Sequence, residues 1–237
     1  MWQDIGAFAA ACWPYLLLIA VISYLLGSVS SAIIVTKLFT KSDIRDYGSG
    51  NAGATNVLRS QGKLPAVLTT VGDLGKSILA VLIGWWIIHW ATAGNATITL
   101  AEEQIRMIGM YLAGLCCILG HLYPLYFGFR GGKGVMTTLG MMLILDWRVA
   151  LLCLAVFIVV VLISRMVSLG SICAGVTLTI LTYVFRAYVD RWENSVVLFC
   201  TVMAGAITVM LLFKHSANIR RILKGTENKI SLGKKTE

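Results

Sequence analysis

A stretch of glycines and small polar residues, from Gly48 to Arg59, has the composition of an anion-binding loop. Glycines let a backbone turn tightly and come close to a ligand. Their N–H groups, together with Ser, Thr and Asn side chains, can donate hydrogen bonds to phosphate oxygens. A helix that begins after such a turn adds the positive end of its dipole. Taken alone, the stretch is equally compatible with a phosphate-binding loop and with a flexible polar connection.

A second segment, Gly120–Val135, contains the run Gly-Gly-Lys-Gly at positions 131–134. It is not a Walker loop, because Gly134 stands where that pattern needs Ser or Thr, and Phe127 stands where it needs a glycine. A lysine flanked by glycines can nevertheless reach an oxyanion with little steric hindrance. The segment therefore favours anion binding by Lys133 over simple anchoring of a loop by positive charge.

A third segment, Lys214–Lys229, begins with His215 and Asn218. These two residues are three positions apart and share a face if the preceding helix continues. A basic helix lying against anionic lipid would explain the arginines and lysines that follow, but not this pair.

Two further charges, Asp73 and Lys76, fall inside a long apolar run. Charges within a membrane are costly and either pair with each other or mark function. We interpret them as an ion pair that orders the helices beneath the site, in preference to direct catalysis. His121, just before Pro124, is interpreted as structural support for the Lys133 loop.

The composition is that of an integral membrane protein. The 237 residues are 58% hydrophobic and 13% charged, and the mean hydropathy is +0.82, whereas soluble domains carry about 25% charged residues. The N-terminus lacks the basic residues of a signal peptide. The six cysteines lie in or beside apolar runs without metal-binding spacing, so neither a metal nor a cofactor is predicted.

Hydropathy predicts an all-α bundle of about seven transmembrane helices in a single domain, 1–237. The predicted spans are 13–35, 64–90, 105–127, 135–145, 149–163, 169–185 and 195–213, followed by a basic tail, 214–237. Six spans result instead if 135–145 is a half-helix that enters the membrane and returns.

The net charge of +9 is better explained by membrane topology than by nucleic acid binding. With seven spans, most lysines and arginines fall on one side, which the positive-inside rule assigns to the cytoplasm. The N-terminus is then outside, and the C-terminus and all three polar segments are cytoplasmic.

The three segments, in this order, resemble the motifs of the bacterial acyl-phosphate-dependent glycerol-3-phosphate acyltransferases, the PlsY family. The matching stretches are Gly48–Arg59, Gly120–Val135 and His215–Glu227, and the resemblance covers nearly the whole chain. It implies a multi-pass enzyme of the inner membrane with its active site open to the cytoplasm. The implied reaction converts acyl phosphate and sn-glycerol 3-phosphate into 1-acyl-glycerol 3-phosphate (lysophosphatidate) and phosphate. This is the first acylation step of phospholipid synthesis, with those substrates and membrane lipids as partners.

The resemblance also assigns residue roles. Catalysis is expected from Lys133, His215 and Asn218. Substrate binding is expected from Ser49, Gly50, Asn51, Thr55, Asn56, Arg59, Gly131, Gly132, Gly134, and either Ser168 or Ser171.

The attacking hydroxyl normally needs a general base. The His-x-x-x-x-Asp dyad of other glycerolipid acyltransferases is absent, since Gly94, Tyr126 and Arg220 stand five residues after the three histidines. The resemblance implies that the phosphate of the substrate takes the proton, and His215 is the alternative base.

Two other classes remain as alternatives. A small transporter of a phosphorylated solute predicts polar residues through the depth of the bundle, whereas here they concentrate at one face. A non-catalytic lipid-binding scaffold leaves the glycine and amide motifs unexplained.

Overall fold

The computed structural model describes residues 2–93 and 101–230, and within these ranges all of its regular secondary structure is helical. The α-helical prediction is confirmed. The last seven residues of the predicted tail, and residues 94–100, lie outside the described part. The helices are α1 (Trp2–Ser28), α2 (Ser31–Thr40), α3 (Ala54–Gln61), α4 (Lys63–Thr92), α5 (Glu102–Leu122), α6 (Val135–Leu145), α7 (Trp147–Ser164), α8 (Val167–Val184), α9 (Asn194–Lys214) and α10 (Ser216–Leu223).

Six helical stretches in the described ranges are long and apolar enough to cross a membrane. They are Phe8–Thr40, Lys63–Thr92, Glu102–Phe127, Trp147–Ser164, Val167–Val189 and Asn194–Lys214. The predicted span 135–145 folds as α6, a helix of 11 residues. Such a helix is about 16 Å long, roughly half the thickness of the hydrocarbon core. The helix lengths therefore do not establish a seventh span, and the side on which each terminus lies stays a prediction.

The chain forms two compact units, one that ends at Asp146 and one that begins at Trp147. In the first unit, α1 packs against α4 and α5. The close approach of α1 to α5 depends on Gly27, because a Cβ there would overlap the backbone of Cys117. An apolar core fills the space between these three helices, formed by Phe8, Cys12, Ile19, Ile87, Ile88, Ile105 and Ala113.

In the second unit, α8 packs against both α7 and α9. Thr208 on α9 donates to the carbonyl oxygen of Gly175 on α8 at 2.6 Å, which satisfies a buried hydroxyl between two apolar helices. After α8, a π-helical turn, Phe185–Val189, precedes Asp190, whose carboxylate accepts hydrogen bonds from Arg148 and Arg186. The prediction that the whole chain is one functional domain stays a prediction.

Candidate active site

The first glycine-rich segment is shaped by the side chain of Asn56, which is 3% exposed. Its Oδ1 accepts a hydrogen bond from the backbone N–H of Ser49 at 3.1 Å. Its Nδ2 lies 2.9–3.2 Å from the carbonyl oxygens of Ile44, Tyr47 and Asn51. Asn56 was predicted to contact substrate, and the structure shows it fixing the path of the loop around itself.

The remaining predicted residues of this segment are more accessible. Ser49, Gly50 and Arg59 are exposed, and Asn51 and Thr55 are half-buried. Gly50 has a φ of +68°, a conformation that glycine adopts without strain. The helix α3 follows Gly53 and begins without a side-chain cap. Its first N–H groups are thus not capped by a side chain and can donate to an anion.

The second segment folds back over the end of α5. Gly132 donates its backbone N–H to the carbonyl oxygen of His121 at 3.1 Å. Gly134, with a φ of +84°, is the residue from which α6 begins, again without a side-chain cap. Lys133, half-buried, therefore stands directly before a second helix N-terminus.

The two segments meet at Gly132. A Cβ built on this residue would overlap His121 Nε2 and would lie 2.6 Å from the carbonyl oxygen of Ala52. Ala52 belongs to the first segment, so the two stretches that were predicted to bind phosphate are in direct contact. Only glycine allows this approach.

Arg45 is a member of this assembly that sequence reasoning missed. Its Nη1 donates to the carbonyl oxygen of Phe127 at 2.6 Å, and its Nε and Nη2 bind the Asp43 carboxylate at 3.0 and 2.8 Å. The hydrogen bonds from Arg45 lower the pKa of Asp43 below its ordinary value. The only sequence signal is an acidic residue two positions before an arginine, and this pattern is too common to identify Arg45 as a site residue.

The predicted ion pair between Asp73 and Lys76 is confirmed. Lys76 Nζ lies 2.9 Å from Asp73 Oδ1, and both side chains are buried. The same ammonium group contacts the carbonyl oxygen of Val29 at 2.8 Å and His121 Nδ1 at 3.0 Å. Because His121 also touches Gly132, the buried charges connect to the Lys133 loop through one imidazole ring.

In the second unit, the hub of the polar cluster is Glu227, which was not among the predicted site residues. Its carboxylate accepts hydrogen bonds from Ser168 Oγ at 2.8 Å, Asn218 Nδ2 at 2.7 Å and Arg221 Nε at 2.7 Å. Burial raises the pKa of Glu227, but the hydrogen bonds from Asn218, Ser168 and Arg221 outweigh burial, so the net pKa is lowered. The sequence signal is its place at the end of the third motif, His215–Glu227.

The structure distinguishes the two candidate serines. Ser168 binds Glu227, whereas Ser171 Oγ donates to the carbonyl oxygen of Val167 on its own helix at 3.0 Å. Ser168 is therefore the serine that shares a hydrogen-bond partner with Asn218.

His215 directly follows α9 as its C-cap and is 3% exposed. Its Nδ1 lies 2.8 Å from the carbonyl oxygen of Leu211. Since a carbonyl oxygen only accepts, Nδ1 carries the proton, and a neutral ring then has its lone pair on Nε2. This tautomer could accept a proton from a hydroxyl. The catalytic roles of His215 and Asn218 stay predictions.

Comparisons with known proteins agree on one family. The family model for glycerol-3-phosphate acyltransferases matches residues 17–225. A glycerol-3-phosphate acyltransferase from Clostridioides difficile is 41% identical over 227 residues, which are 93% of this chain and 97% of that protein. One from Neisseria meningitidis serogroup B is 38% identical over 88% of this chain and 94% of that protein.

Solved structures give the same result. The chain is similar to PlsY (YgiH), an integral membrane glycerol 3-phosphate acyltransferase, in its glycerol 3-phosphate form. The TM-score is 0.72 at 33% identity over 91% of this chain and 96% of that one. The lysophosphatidic acid form of the same enzyme gives a TM-score of 0.71 at 33% identity over 91% and 95% of the two chains.

Proposed function

The chain belongs to the glycerol-3-phosphate acyltransferase family, and from this premise we propose that it uses acyl phosphate as the donor. It is an integral membrane acyltransferase that acts on glycerol 3-phosphate in phospholipid biosynthesis. In the proposed reaction the acyl group moves to the 1-hydroxyl of sn-glycerol 3-phosphate. The products are lysophosphatidate and inorganic phosphate.

The proposed step needs no further reactant. The hydroxyl oxygen attacks the carbonyl carbon of acyl phosphate, the new ester C–O bond forms, and the C–O bond to phosphate breaks. The electron pair of that bond leaves with phosphate, and the hydroxyl proton ends on a phosphate oxygen. Because acyl phosphate is already activated, binding and positioning of two phosphate-bearing molecules supply most of the catalysis.

The observation that carries this proposal is the contact between the two glycine-rich segments at Ala52 and Gly132. Each segment leads into a helix, α3 or α6, that begins without a side-chain cap. Two such helix starts in one unit offer N–H donors and positive dipole ends for two phosphate groups. A donor such as acyl-CoA would not present a phosphate at the reacting carbonyl.

Lys133 and Arg59 are the cations that we assign to these phosphates. Lys133 precedes α6, and Arg59 lies in the last turn of α3 with an exposed side chain. A positive charge held near the carbonyl stabilises the oxyanion and the leaving phosphate as the transition state forms. Ser49, Asn51 and Thr55 are assigned to the same phosphates through their side-chain donors. Gly50, whose N–H donates to the Tyr47 carbonyl oxygen at 3.0 Å, is assigned through the close approach that a residue without a side chain allows.

We also propose that the protein lies in the bacterial inner membrane with this unit's glycine-rich segments on the cytoplasmic side. The support is the distribution of lysine and arginine, which accumulate in and around these segments. Transport of a phosphorylated solute is not favoured, because the family and the relatives are acyltransferases.

The proposal is tested with the purified protein in detergent, glycerol 3-phosphate and three acyl donors in separate assays. The donors are acyl phosphate, acyl-CoA and the acyl thioester of acyl-carrier protein. We expect lysophosphatidate and inorganic phosphate to form in equal amounts from acyl phosphate only. Turnover with acyl-CoA and none with acyl phosphate would overturn the donor assignment. Full activity of Lys133→Ala would overturn the assignment of Lys133.

A further inference from the structure

The buried cluster of Asp73, Lys76 and His121 fixes the proton position on one imidazole. Lys76 Nζ donates to the Val29 carbonyl oxygen at 2.8 Å and lies 3.0 Å from His121 Nδ1. Asp73 Oδ1 is its ion-pair partner at 2.9 Å and also lies 3.5 Å from His121 Nδ1. An ammonium group donates and cannot accept. Of the two charged neighbours of His121 Nδ1, the Lys76 ammonium at 3.0 Å is nearer than the Asp73 carboxylate oxygen at 3.5 Å, which favours Nδ1 as the acceptor and places the ring proton of a neutral His121 on Nε2.

The Nε2 edge of His121 faces the junction of the two glycine-rich segments. A Cβ on Gly132 would overlap this nitrogen and would approach the Ala52 carbonyl oxygen. The backbone of the same histidine accepts the N–H of Gly132. His121 thus touches the Lys133 loop through both its ring and its main chain.

We propose that Lys76 sets the Nε2–H tautomer of His121, and that His121 in this state is a positioning residue for the loop that carries Lys133. The donor edge of a neutral ring holds the junction in a single arrangement. If Nδ1 carried the proton, the ring would face Lys76 with a donor against a donor. Gly132 would then face a lone pair in place of an N–H donor, and the loop would lose its support.

The cluster is neutral overall in this assignment, since Asp73 and Lys76 cancel and His121 is uncharged. A neutral cluster is consistent with its burial, because an uncompensated charge between apolar helices is strongly destabilising. Cys117 lies beside the cluster and donates its S–H to the Lys76 carbonyl oxygen at 3.9 Å, and as a thiol it adds no charge.

Nitrogen NMR tests the tautomer directly, because the chain has only three histidines. The full-length protein is labelled with ¹⁵N-histidine in lipid nanodiscs, and the His121→Asn variant identifies the signals of His121. We expect Nε2 to give a protonated nitrogen and Nδ1 an unprotonated one. Protonation of both nitrogens, or of Nδ1 alone, would overturn the proposal.

The double variant Asp73→Leu/Lys76→Met removes both charges together, so that neither is left unpaired. We expect its His121 spectrum to become a mixture of tautomers, while the exposed control Lys63→Met on the same helix keeps the wild-type spectrum. An unchanged spectrum in the double variant would also contradict the proposal. If the double variant does not fold, the wild-type spectrum decides.

The kinetic part of the test rests on the proposed function, whereas the spectra do not. We expect kcat/KM of the double variant to fall about 10- to 100-fold, the scale of a small misplacement of a catalytic group. If the wild-type protein shows protonated Nε2 in its spectrum but no acyltransferase activity, this result would count against the proposed reaction alone. Full activity of a double variant with mixed tautomers would count against positioning by His121.

Discussion

Arg45 Nη1 donates a 2.6 Å hydrogen bond to the carbonyl oxygen of Phe127, across 82 positions of the chain. This bond ties the turn that precedes the first glycine-rich segment to the loop that carries Lys133. The guanidinium is itself held by two further hydrogen bonds to Asp43. The relative position of the two segments therefore depends on a residue outside both motifs.

Replacing Arg45 with Ala is expected to lower activity about 10- to 100-fold, because the Lys133 loop loses an attachment to the first segment. Arg45→Lys should recover little, since a lysine cannot bind a carboxylate and a carbonyl with a planar fork. Steady-state kinetics on the purified variants measure the effect. Arg106→Ala, which removes an exposed arginine from α5, is the matched control. Wild-type activity in Arg45→Ala would show that the hydrogen bond from Arg45 to Phe127 is not needed to position the Lys133 loop.

Gly132→Ala is expected to abolish measurable turnover and to destabilise the protein by about 1–3 kcal/mol, the usual effect of overpacking. The added methyl group would overlap His121 and approach the Ala52 carbonyl oxygen. Activity and thermal unfolding in detergent measure both effects. Gly75→Ala is the control, because a Cβ at this exposed helical position meets nothing within 4 Å. Equal behaviour of the two variants would refute the close packing at Gly132.

The sequence predicts the membrane class, the positions of the long helices and the Asp73–Lys76 pair, because these depend on hydropathy and on local spacing. It does not predict Arg45 or Glu227 as site members, because their partners lie far along the chain: Phe127 for Arg45 and Ser168 for Glu227. Composition also predicts polar residues at a loop without saying whether they face a ligand. Asn56 belongs to the expected segment, yet its amide binds the loop's own backbone.

α6 shows the limit of hydropathy in another way. Its residues are apolar enough for a membrane span, and its helical state is predicted correctly. Its length is set by Gly134 at one end and by Asp146 at the other, so it ends after 11 residues. Apolar character alone does not decide whether such a helix crosses the bilayer.

Glu227 predicts a dependence of stability on pH. Its pKa in the folded protein is lowered from the ordinary value of 4.5, so the carboxylate stabilises the fold above that value. This stabilisation is lost as the pH falls from about 4.5 through the folded pKa. We expect the melting temperature to fall less between about pH 5 and about pH 3 in Glu227→Gln than in the wild type. Parallel curves for the two proteins would rule out this contribution.

Ser168→Ala and Ser171→Ala are expected to differ. Ser168 donates to an ionised carboxylate, and removal of such a hydrogen bond costs about 1.5–3 kcal/mol. Ser171 is also buried, but it donates to a neutral carbonyl oxygen of its own helix, and loss of such a hydrogen bond costs only about 0.5–1.5 kcal/mol. Thermal unfolding and kinetics of the two variants measure this difference. A larger effect for Ser171 would show that the hydrogen bond to Glu227 does not decide which serine matters.

His215→Gln separates two assignments of the proton acceptor. If the phosphate of the substrate accepts the proton, we expect the variant to raise KM and to keep kcat within about threefold of the wild type. If His215 is the base, kcat falls by about 100-fold or more, and the acid limb of the pH profile of kcat disappears.

Glutamine retains an amide that can bind the Leu211 carbonyl oxygen, so the end of α9 keeps its contact. His89→Gln, at an exposed position in α4, is the control for general effects of losing a histidine. Since the acyl donor is already activated, we expect the first outcome; a collapse of kcat with unchanged KM would identify His215 as the base.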